Sequence, residues 1–396
     1  MSLGKSIRGN TPSMTLTTIS GLTKLASEPL LTGGLLYLLT RGPPHLRARL
    51  LAPFQSTLPL FTNTPKGVAR VATLITLLKI LTTAGVLRRI NQALNRLAWN
   101  NWCLGRSGAE WTFGPAKQEV VLITGGSSGF GYEMVRSFSK HARVIAIDVS
   151  SFPAELDALS DVHFYQCDIT DTSALEALCG QIRREHGTVS VLINNAGIGI
   201  GKTLLETSNA ESQKLLQVNL FSHMVLIREF LPAMLAQKKG HIVSIASMAS
   251  FVAAPGLIDY CISKIGALYL TEGIRAECLA HYSGGEGICT TSIHPSWHQT
   301  GILKNGGDQL KNQGIVPDPP SRVSDVVVEQ VLKGRSGRLC VPKSQERYMG
   351  VRNWPRWAQD LAFGLASKKK ANSAESATTA LKGVGADVSA WKQERE

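Results

Sequence analysis

From residue 119 onward, short β-branched apolar runs alternate with longer stretches that have helical periodicity. The apolar runs predict strands at residues 120–124, 143–148, 162–167, 189–194, 241–246, 289–294 and 338–341. The periodic stretches predict helices at residues 132–141, 172–186, 211–237, 257–281 and 323–333. Such alternation is typical of a parallel sheet with helices on both faces. The pattern therefore predicts an α/β fold built on a doubly wound, seven-stranded parallel sheet.

The first 110 residues have a different pattern, in which apolar runs are interrupted by basic residues. The runs are 29–39, 50–61 and 71–87. None is a clean membrane span, because a spanning helix needs about 20 apolar residues and Lys79 lies in the middle of the longest run. On a helical wheel Thr76, Lys79 and Thr83 share one side of that run, and aliphatic residues share the other. We expect a helix lying in a membrane interface; a helical hairpin docked on the α/β domain is the alternative.

Charge is concentrated in the same region. The chain has a formal net charge of +13, and its first 110 residues contain thirteen Lys/Arg but only two acids, Glu28 and Glu110. A local basic excess indicates an anionic partner, and the interleaved apolar runs favour a membrane or lipid-droplet surface over nucleic acid. Residues 1–27 are rich in Ser and Thr and contain no acid, so a mitochondrial presequence is a second interpretation. The seven cysteines have no metal-ligand spacing, and no metal site is predicted.

The first predicted strand runs directly into a glycine-rich turn, TGGSSGFG, and a helix follows. Glycines let a backbone approach a pyrophosphate, and the helix N-terminus offers amide donors to the phosphates. This context predicts a Rossmann-type dinucleotide site. The turn residues predicted to contact the cofactor are Gly125, Ser127, Ser128, Gly129, Phe130 and Gly131.

Asp148 ends the second predicted strand, seventeen residues after Gly131. A carboxylate at this position can accept hydrogen bonds from the ribose hydroxyls and would repel a 2′-phosphate, which favours NAD(H) and keeps NADP(H) as the alternative. Asp168 and Ile169 follow the third strand. The Asp168 side chain would either meet the adenine amino group or cap the next helix. After the fourth strand, the short side chains of Asn195-Ala196-Gly197 would let the cofactor lie against the backbone.

Tyr260 and Lys264 are four residues apart, so their side chains project from one helix face. Residues 117–345 contain the motifs TGxxxGxG and NNAG, then Asn219, Ser247 and Tyr260-x-x-x-Lys264. In this order of motifs they resemble the short-chain dehydrogenase/reductase family. The resemblance implies that Asn219, Ser247, Tyr260 and Lys264 form a catalytic set. It also implies that Tyr260, Lys264, Pro295 and Thr300 contact the cofactor, although Ser296 replaces the glycine that usually follows this proline.

These residues imply a proton-transfer mechanism. A free tyrosine has a pKa near 10 and is only about 0.1% ionised at neutral pH. The positive charge of Lys264 should bring the pKa of Tyr260 toward the working pH, so that Tyr260 acts as general acid or base. Ser247 would hydrogen-bond the developing alkoxide. Lys264 would also bind the nicotinamide ribose, and Asn219 would hold a water that passes protons to Lys264.

A narrower resemblance, in Phe230-Leu-Pro-Ala-Met234 and Tyr260-Cys-Ile-Ser-Lys264, is to the membrane-associated branch that contains retinol and 17-beta-hydroxysteroid dehydrogenases. It implies a hydrophobic alcohol or ketone as substrate. It also implies an endoplasmic reticulum membrane or lipid droplet as location, with the catalytic domain facing the cytosol, and a homodimer. Two alternatives stay open: an NADP-dependent lipid carbonyl reductase, and a non-catalytic, nucleotide-binding scaffold at the membrane.

The chain is thus predicted to contain four parts. They are a basic, apolar arm at residues 1–110, the α/β domain at 117–345, an amphipathic helix at 346–367 and a polar, disordered tail at 368–396. Residues 297–322 are rich in Gly, Asn and Pro and predict a long loop that closes over a ligand. The aromatic residues of the C-terminal helix would line the pocket, rest on lipid, or simply cap the core.

Overall fold

The computed structural model describes residues 28–56, 65–105, 108–303 and 316–362. The chain divides into two compact units, residues 1–98 and residues 99–396. The predicted tail at 368–396, the presequence-like residues 1–27 and the middle of the predicted loop at 304–315 lie outside the described residues.

The first unit is helical. Its helices are α1 (Pro29–Thr40), α2 (Pro44–Ser56) and α3 (Pro65–Trp99), the last of which ends at the boundary between the units. Each begins with a proline, whose fixed φ and missing N–H suit the first helical position. A helix of 35 residues is about 52 Å long, so α3 extends well beyond the apolar run at 71–87 that predicted it.

Helices α1 and α3 pair antiparallel. Arg89 donates to both carboxylate oxygens of Glu28 at 2.8 Å, and Arg88 lies 3.5 Å from the same group. Further along α1, Gly33 approaches α3 so closely that a Cβ there would lie 3.4 Å from the Thr82 methyl. The aliphatic stripe expected to face lipid, including the buried Leu78, therefore lies on the side of α3 that packs inside the arm. The expectation was incomplete because the sequence pattern of one helix does not reveal which neighbour covers it.

Two helical stretches among the described residues are long and apolar enough, by length and composition, to cross a membrane. They are residues 66–99 in α3 and residues 209–236 in the second unit. In the second stretch 56% of the most apolar window is buried, as expected for a core helix, whereas only 11% is buried in the first. Most of this window of α3 is therefore not fully buried.

The second unit contains the predicted seven-stranded parallel sheet, which confirms the fold class. Its strands have the spatial order β3-β2-β1-β4-β5-β6-β7. The strands are β1 (Val120–Thr124), β2 (Arg143–Asp148), β3 (Val162–Gln166), β4 (Val191–Asn194), β5 (Gly240–Ile245), β6 (Ile288–Pro295) and β7 (Gly337–Val341). The order reverses direction between β1 and β4, which is where open α/β sheets bind ligands.

Helices cover both faces of this sheet. They are α4 (Gly129–Phe138), α5 (Ala154–Asp157), α6 (Thr172–His186), α7 (Asn209–Leu216), α8 (Ser222–Ala236), α9 (Ile258–His281), α10 (Ser321–Leu332) and α11 (Arg356–Ala362). One core lies between the sheet and α6, α8 and α9, where Leu122 and Phe230 are buried. The other lies between the sheet and α4 and α10, where Ile123 and Phe138 are buried. Each such side chain contributes about 1.5–3 kcal/mol.

Two predicted helices differ in detail from the structure. The stretch predicted as one helix at 211–237 is divided by a π-helical turn, Gln217–Phe221, between α7 and α8. The helix predicted at 346–367 is instead a 3₁₀ segment, Lys343–Asn353, followed by α11. Trp354 between them is extended, with ψ of 153°, because the ring of Pro355 disfavours helical geometry in the preceding residue.

Candidate active site

The predicted catalytic residues lie at the carboxyl edge of the sheet. Ser247 follows β5, and Tyr260 and Lys264 project from one face of α9. The Ser247 side chain lies close enough to Tyr260 to lower the pKa of its phenol, and the Lys264 Nζ lies 5.6 Å from the centroid of the Tyr260 ring. Lys264 donates a 2.8 Å hydrogen bond to the carbonyl of Ile245, the last residue of β5. The structure therefore brings these three side chains together.

Burial changes the acidity of this pair. It raises the pKa of Tyr260 to about 12, against a smaller opposite effect of the Ser247 hydrogen bond, and lowers the pKa of Lys264 to about 8. We expected Lys264 to lower the pKa of Tyr260. In the protein alone, burial dominates this pKa, because removing a phenolate from water is costly. The protein by itself therefore holds Tyr260 protonated at neutral pH.

Asn219 lies in the π-helical turn and is fully buried. Its side chain accepts from the Ile198 N–H at 2.8 Å and donates to the Ile198 carbonyl and the Ser263 hydroxyl at 2.9 and 3.0 Å. Gly197 lies next to it, and a Cβ there would be 3.3 Å from the Lys264 Nζ and 3.4 Å from the Asn219 Oδ1. The amide therefore fixes the segment after β4, and its oxygen keeps one lone pair for a water.

The glycine-rich turn connects β1 to α4 without room for side chains. Gly125 has a φ of +68°, and a Cβ on Gly131 would lie 1.9 Å from the Gly125 carbonyl oxygen. Asn195 donates to the carbonyls of Thr124 and Gly125 at 2.8 and 3.1 Å, which ties the turn to the end of β4. Ser128 is the N-cap of α4, but its side chain makes no capping hydrogen bond.

The other turn residues line the same region. The Ser127 hydroxyl is buried and has no hydrogen-bond partner among the described residues. Phe130 packs edge-on against His298 at 5.4 Å. Thr300 faces the turn from the segment after β6, since a Cβ on Gly129 would lie 3.5 Å from its methyl. Pro295 is the last residue of β6 and pairs with Val341.

Asp148 lies at the end of β2 and holds the turn in place. Its Oδ2 accepts from the Ser127 N–H and its Oδ1 from the Ser150 N–H, both at 2.9 Å. A carboxylate has about four lone-pair sites, so both oxygens can still accept hydroxyl donors. Asp148 therefore positions the turn and remains able to bind a ribose.

Asp168 makes a local turn and does not cap α6. Its Oδ1 accepts from the N–H and the hydroxyl of Thr170, and these hydrogen bonds hold the pKa of its carboxyl below the usual value. The N-cap of α6 is Asp171, which accepts from the Ala174 N–H at 3.0 Å. The Ile169 side chain is in the core, so only its backbone can contact a ligand.

Two features of the site wall were not predicted from the sequence. A Cβ on Gly199 would lie 3.0 Å from the Ile302 Cγ2 and 3.8 Å from the Tyr260 ring, so Gly199 lies next to the tyrosine and Ile302 packs on Gly199. Ile302 belongs to the segment after β6, which is held by hydrogen bonds between Trp297, Gln299 and Asp318. Exposed apolar residues after a strand are the signal that could have indicated this wall. No cluster of three or more metal-ligating side chains occurs in the described ranges.

These observations fit a dinucleotide. The N–H groups at the start of α4 have no side-chain cap. The glycines of the turn bring backbone atoms close together where a Cβ would clash, and the carboxylate of Asp148 lies at the end of β2. The residues that the sequence predicts to hold the cofactor are Gly125, Ser127, Ser128, Gly129, Phe130, Gly131, Asp148, Asp168, Ile169, Asn195, Ala196, Gly197, Tyr260, Lys264, Pro295 and Thr300.

Known proteins are similar to this chain in sequence. The family model described as "short chain dehydrogenase" matches residues 119–311. Epidermal retinol dehydrogenase 2 of Mus musculus is 34% identical over 219 residues, which cover 53% of this chain and 70% of that protein. The 17-beta-hydroxysteroid dehydrogenase 13 of Homo sapiens is 32% identical over 223 residues, which cover 54% of this chain and 71% of that protein.

A solved structure has the same fold. It is a short chain dehydrogenase/reductase from Burkholderia phymatum in complex with NAD, with a TM-score of 0.54 and 22% identity, covering 64% of this chain and 97% of that one. The chain therefore belongs to the short-chain dehydrogenase/reductase family and resembles its retinol and 17-beta-hydroxysteroid dehydrogenase branch. It is an NAD(P)-dependent oxidoreductase that acts on CH–OH groups.

Substitution of Gly131 by Ala tests the turn. The new Cβ would meet the Gly125 carbonyl at 1.9 Å, so the turn must move and cofactor binding should fall at least tenfold, roughly the effect of 1.4 kcal/mol. Binding is measured by quenching of tryptophan fluorescence on titration with NADH. Gly273→Ala is the control, because Gly273 is also helical and a Cβ there meets nothing within 4 Å. Equal affinities for both variants would contradict the prediction.

Proposed function

We propose that the protein transfers hydride between NAD(H) and a hydrophobic alcohol or ketone, with Tyr260 as the general acid or base. The proposal rests on the contact of Ser247 with Tyr260 and on the buried ammonium of Lys264. This ammonium lies 5.6 Å from the centroid of the Tyr260 ring, on the same face of α9. The oxidised cofactor, when bound, accepts hydride and adds positive charge to the site. Asn219, Ser247, Tyr260 and Lys264 have the catalytic roles in this proposal.

The proton moves through Tyr260. In the oxidation of an alcohol, the Tyr260 phenolate takes the hydroxyl proton, and in the reduction of a ketone its O–H returns one. Ser247 donates to the substrate oxygen and holds it beside Tyr260. Lys264 supplies the positive charge that favours phenolate, and its pKa of about 8 lets it exchange protons near neutral pH. The remaining lone pair on the Asn219 Oδ1 is where a water would be held for that exchange.

Apolar side chains on the segments after β4 and β6 support the proposed substrate class. Ile302 packs on Gly199, which lies next to Tyr260, and Trp297 and Val316 of the same region are exposed. Leu204 and Leu205, in the segment after β4, are exposed as well. Exposed apolar side chains on two neighbouring segments favour a ligand with a large apolar body. The names of the retinol and 17-beta-hydroxysteroid dehydrogenases that the chain resembles support the same class, without deciding between retinoid, steroid and other lipid.

The arm supports a membrane or lipid-droplet surface as the working environment. It combines a basic excess with exposed apolar side chains, which is the composition of an interfacial helix. We extend the proposal to the endoplasmic reticulum or a lipid droplet, with the catalytic unit facing the cytosol. A homodimer is part of the same proposal, because α9 exposes Ile262 and Tyr269 on its outer side.

The acid/base role is tested with Tyr260→Phe. Without the phenol, the rate of NADH formation from NAD⁺ and retinol, a hydroxysteroid or a long-chain alcohol should fall by about 10²–10⁴. Tyr269→Phe is the matched control, since Tyr269 lies on the same helix but is 65% exposed. If Tyr260→Phe turns over as fast as the unsubstituted protein, the mechanism is wrong. If the unsubstituted protein reduces or oxidises no lipidic alcohol or ketone with either cofactor, a nucleotide-binding scaffold becomes the better account.

Cofactor preference is tested with Asp148→Asn. Removing the charge weakens the hydrogen bonds to the ribose and ends the repulsion of a 2′-phosphate. The ratio of kcat/KM for NAD(H) over NADP(H) should therefore fall about tenfold to a hundredfold, corresponding to 1.5–3 kcal/mol for a charged hydrogen bond. Asp325→Asn, the same change at an exposed position of α10, should leave the ratio unchanged. An unsubstituted protein that uses both cofactors equally well would refute the assignment to NAD(H).

Membrane binding is tested with the double variant Ile80→Asn, Leu87→Asn in the full chain. Both side chains are exposed on α3, at 60% and 61%. Their insertion in lipid would contribute about 1.5–3 kcal/mol each, so the fraction that floats with vesicles containing anionic lipid should fall sharply. The control is Leu204→Asn, Leu205→Asn, at 57% and 62% exposure in the catalytic unit. Equal flotation of the two double variants would show that the arm is not the anchor.

A further inference from the structure

His294 is the residue before the last of β6, and the sequence analysis assigned it no role. Its side chain is fully buried. The Nδ1 lies 3.0 Å from the backbone carbonyl oxygen of Ser247, and the Nε2 lies 3.0 Å from the Ser292 hydroxyl on the same strand. The imidazole therefore connects β6 to the residue that carries the site's hydroxyl.

The two contacts determine how the ring is protonated. A carbonyl oxygen can only accept, so the Nδ1 must carry the hydrogen and donate it to Ser247. The Nε2 is then an acceptor, and the Ser292 hydroxyl donates to it. Burial lowers the pKa of His294 to about 4, and the charges of Arg338 and Lys264 act in the same direction. The ring is therefore neutral at physiological pH, with both nitrogens satisfied.

The Ser247 carbonyl has one other hydrogen bond, within its own 3₁₀ turn, where it accepts from the Ser250 N–H at 3.0 Å. Ser247 is extended, with φ of −167°, and its own hydroxyl accepts from the Ala249 N–H at 3.1 Å. The preceding residue, Ala246, donates to the Ile293 carbonyl at 2.8 Å. Phe251 packs on the His294 ring with centroids 4.7 Å apart. The peptide after Ser247 is thus held from β6 by one imidazole hydrogen bond, and the ring that makes it is itself fixed by Ser292 and Phe251.

We propose that His294 is a positioning residue, which through the Ser247 carbonyl sets the place of the Ser247 hydroxyl beside Tyr260. The inference rests on the proposed role of Ser247 and Tyr260 in hydride transfer. A misplacement of about 1 Å in such a group can cost about a hundredfold in rate. The hydrogen bond from Ser247 favours the Tyr260 phenolate, so a displaced Ser247 also raises the pKa of Tyr260. The other groups acting on Tyr260 are Lys264 and Cys261.

His241 supplies a matched control. It is equally buried, its Nε2 lies 2.8 Å from the Thr291 hydroxyl, and burial lowers the pKa of its ring to about 3. It lies at the opposite, amino end of β5 and has no contact with Ser247. Loss of either histidine removes a buried ring. It also removes a hydrogen bond between β6 and either β5 or the residues just after β5. Only the loss of His294 should affect the chemistry.

The experiment compares His294→Leu, His294→Asn, His294→Gln and His241→Leu in the full chain. For each variant, folding is checked by thermal unfolding, and kcat and KM are measured with NAD⁺ and the best alcohol substrate between pH 6 and 10. His294→Leu should lower kcat about tenfold to a hundredfold, leave the KM for NAD⁺ unchanged and move the alkaline rise of kcat/KM to higher pH. His294→Asn should restore most of the activity, because its amide donor lies near the Nδ1 position. The Gln amide lies near the Nε2 position and should not.

Three results would overturn the proposal. The first is an equal loss of kcat in His294→Asn and His294→Gln. The second is a loss of kcat in His241→Leu as large as in His294→Leu, and the third is an unchanged pH profile in a folded His294→Leu. If His294→Leu does not fold, Ser292→Ala replaces it, since this small change frees the Nε2 and should move the profile in the same direction; no movement would count against the proposal. Tyr260→Phe distinguishes a failure of the proposed function from a failure of the positioning role. An active Tyr260→Phe refutes the proposed function, whereas an inactive Tyr260→Phe with fully active His294 variants refutes only the positioning role.

Discussion

A buried ammonium held by a backbone carbonyl is the constraint on which the catalytic site depends. Lys264 is 3% exposed, and its Nζ donates to the Ile245 carbonyl at 2.8 Å, while no carboxylate forms an ion pair with it in the ranges that the structure describes. A buried charge without a counter-ion is costly, and the lowered pKa of about 8 is the consequence. Lys264 is buried despite this cost because α9 crosses the end of β5 at this residue. The same crossing places Tyr260, one turn earlier on α9, next to Ser247.

The side chains around Lys264 are neutral for the same reason, the cost of burying a charge. Three fully buried histidines lie in this half of the sheet and its helices, and burial lowers the pKa of each: His223 and His241 to about 3 and His294 to about 4. Lys264 contributes to the lowering for His223 and His294, so these rings stay neutral beside it. A second positive charge here would oppose both the ammonium and an oxidised nicotinamide. The site therefore carries one fixed cation, and its remaining polar groups are dipoles that can orient around developing charge.

The strands and most helices could be predicted because burial on both faces produces continuous β-branched runs, and each predicted strand lies within about two residues of the observed one. The π-helical turn could not be predicted, because the apolar period of residues 211–237 continues across it. The turn contains Asn219, whose hydrogen bonds with Ile198 on a different segment leave no trace in that pattern. His294 was missed for a similar reason. The role proposed for it depends on how β6 aligns with the end of β5, which brings its ring to the Ser247 carbonyl, and that register is a tertiary property. The hydrogen bond from the Ser127 N–H to Asp148 could not be predicted from the sequence either.

The helix pair in the arm bears on how the arm meets a membrane. Pairing with α1 covers one stripe of α3 and leaves the rest of the helix exposed, including the apolar Leu77, Ile80 and Leu87 and the polar Thr76, Lys79 and Thr83. Lys79 lies near the middle of the helix. In a spanning orientation Lys79 would lie near the bilayer centre, at a cost of about 2.5–3.5 kcal/mol or more. An orientation parallel to the surface would let the exposed Leu77, Ile80 and Leu87 enter the lipid while Lys79 reaches the headgroups. Length and composition would allow α3 to span, and the charge of Lys79 is the argument against that orientation.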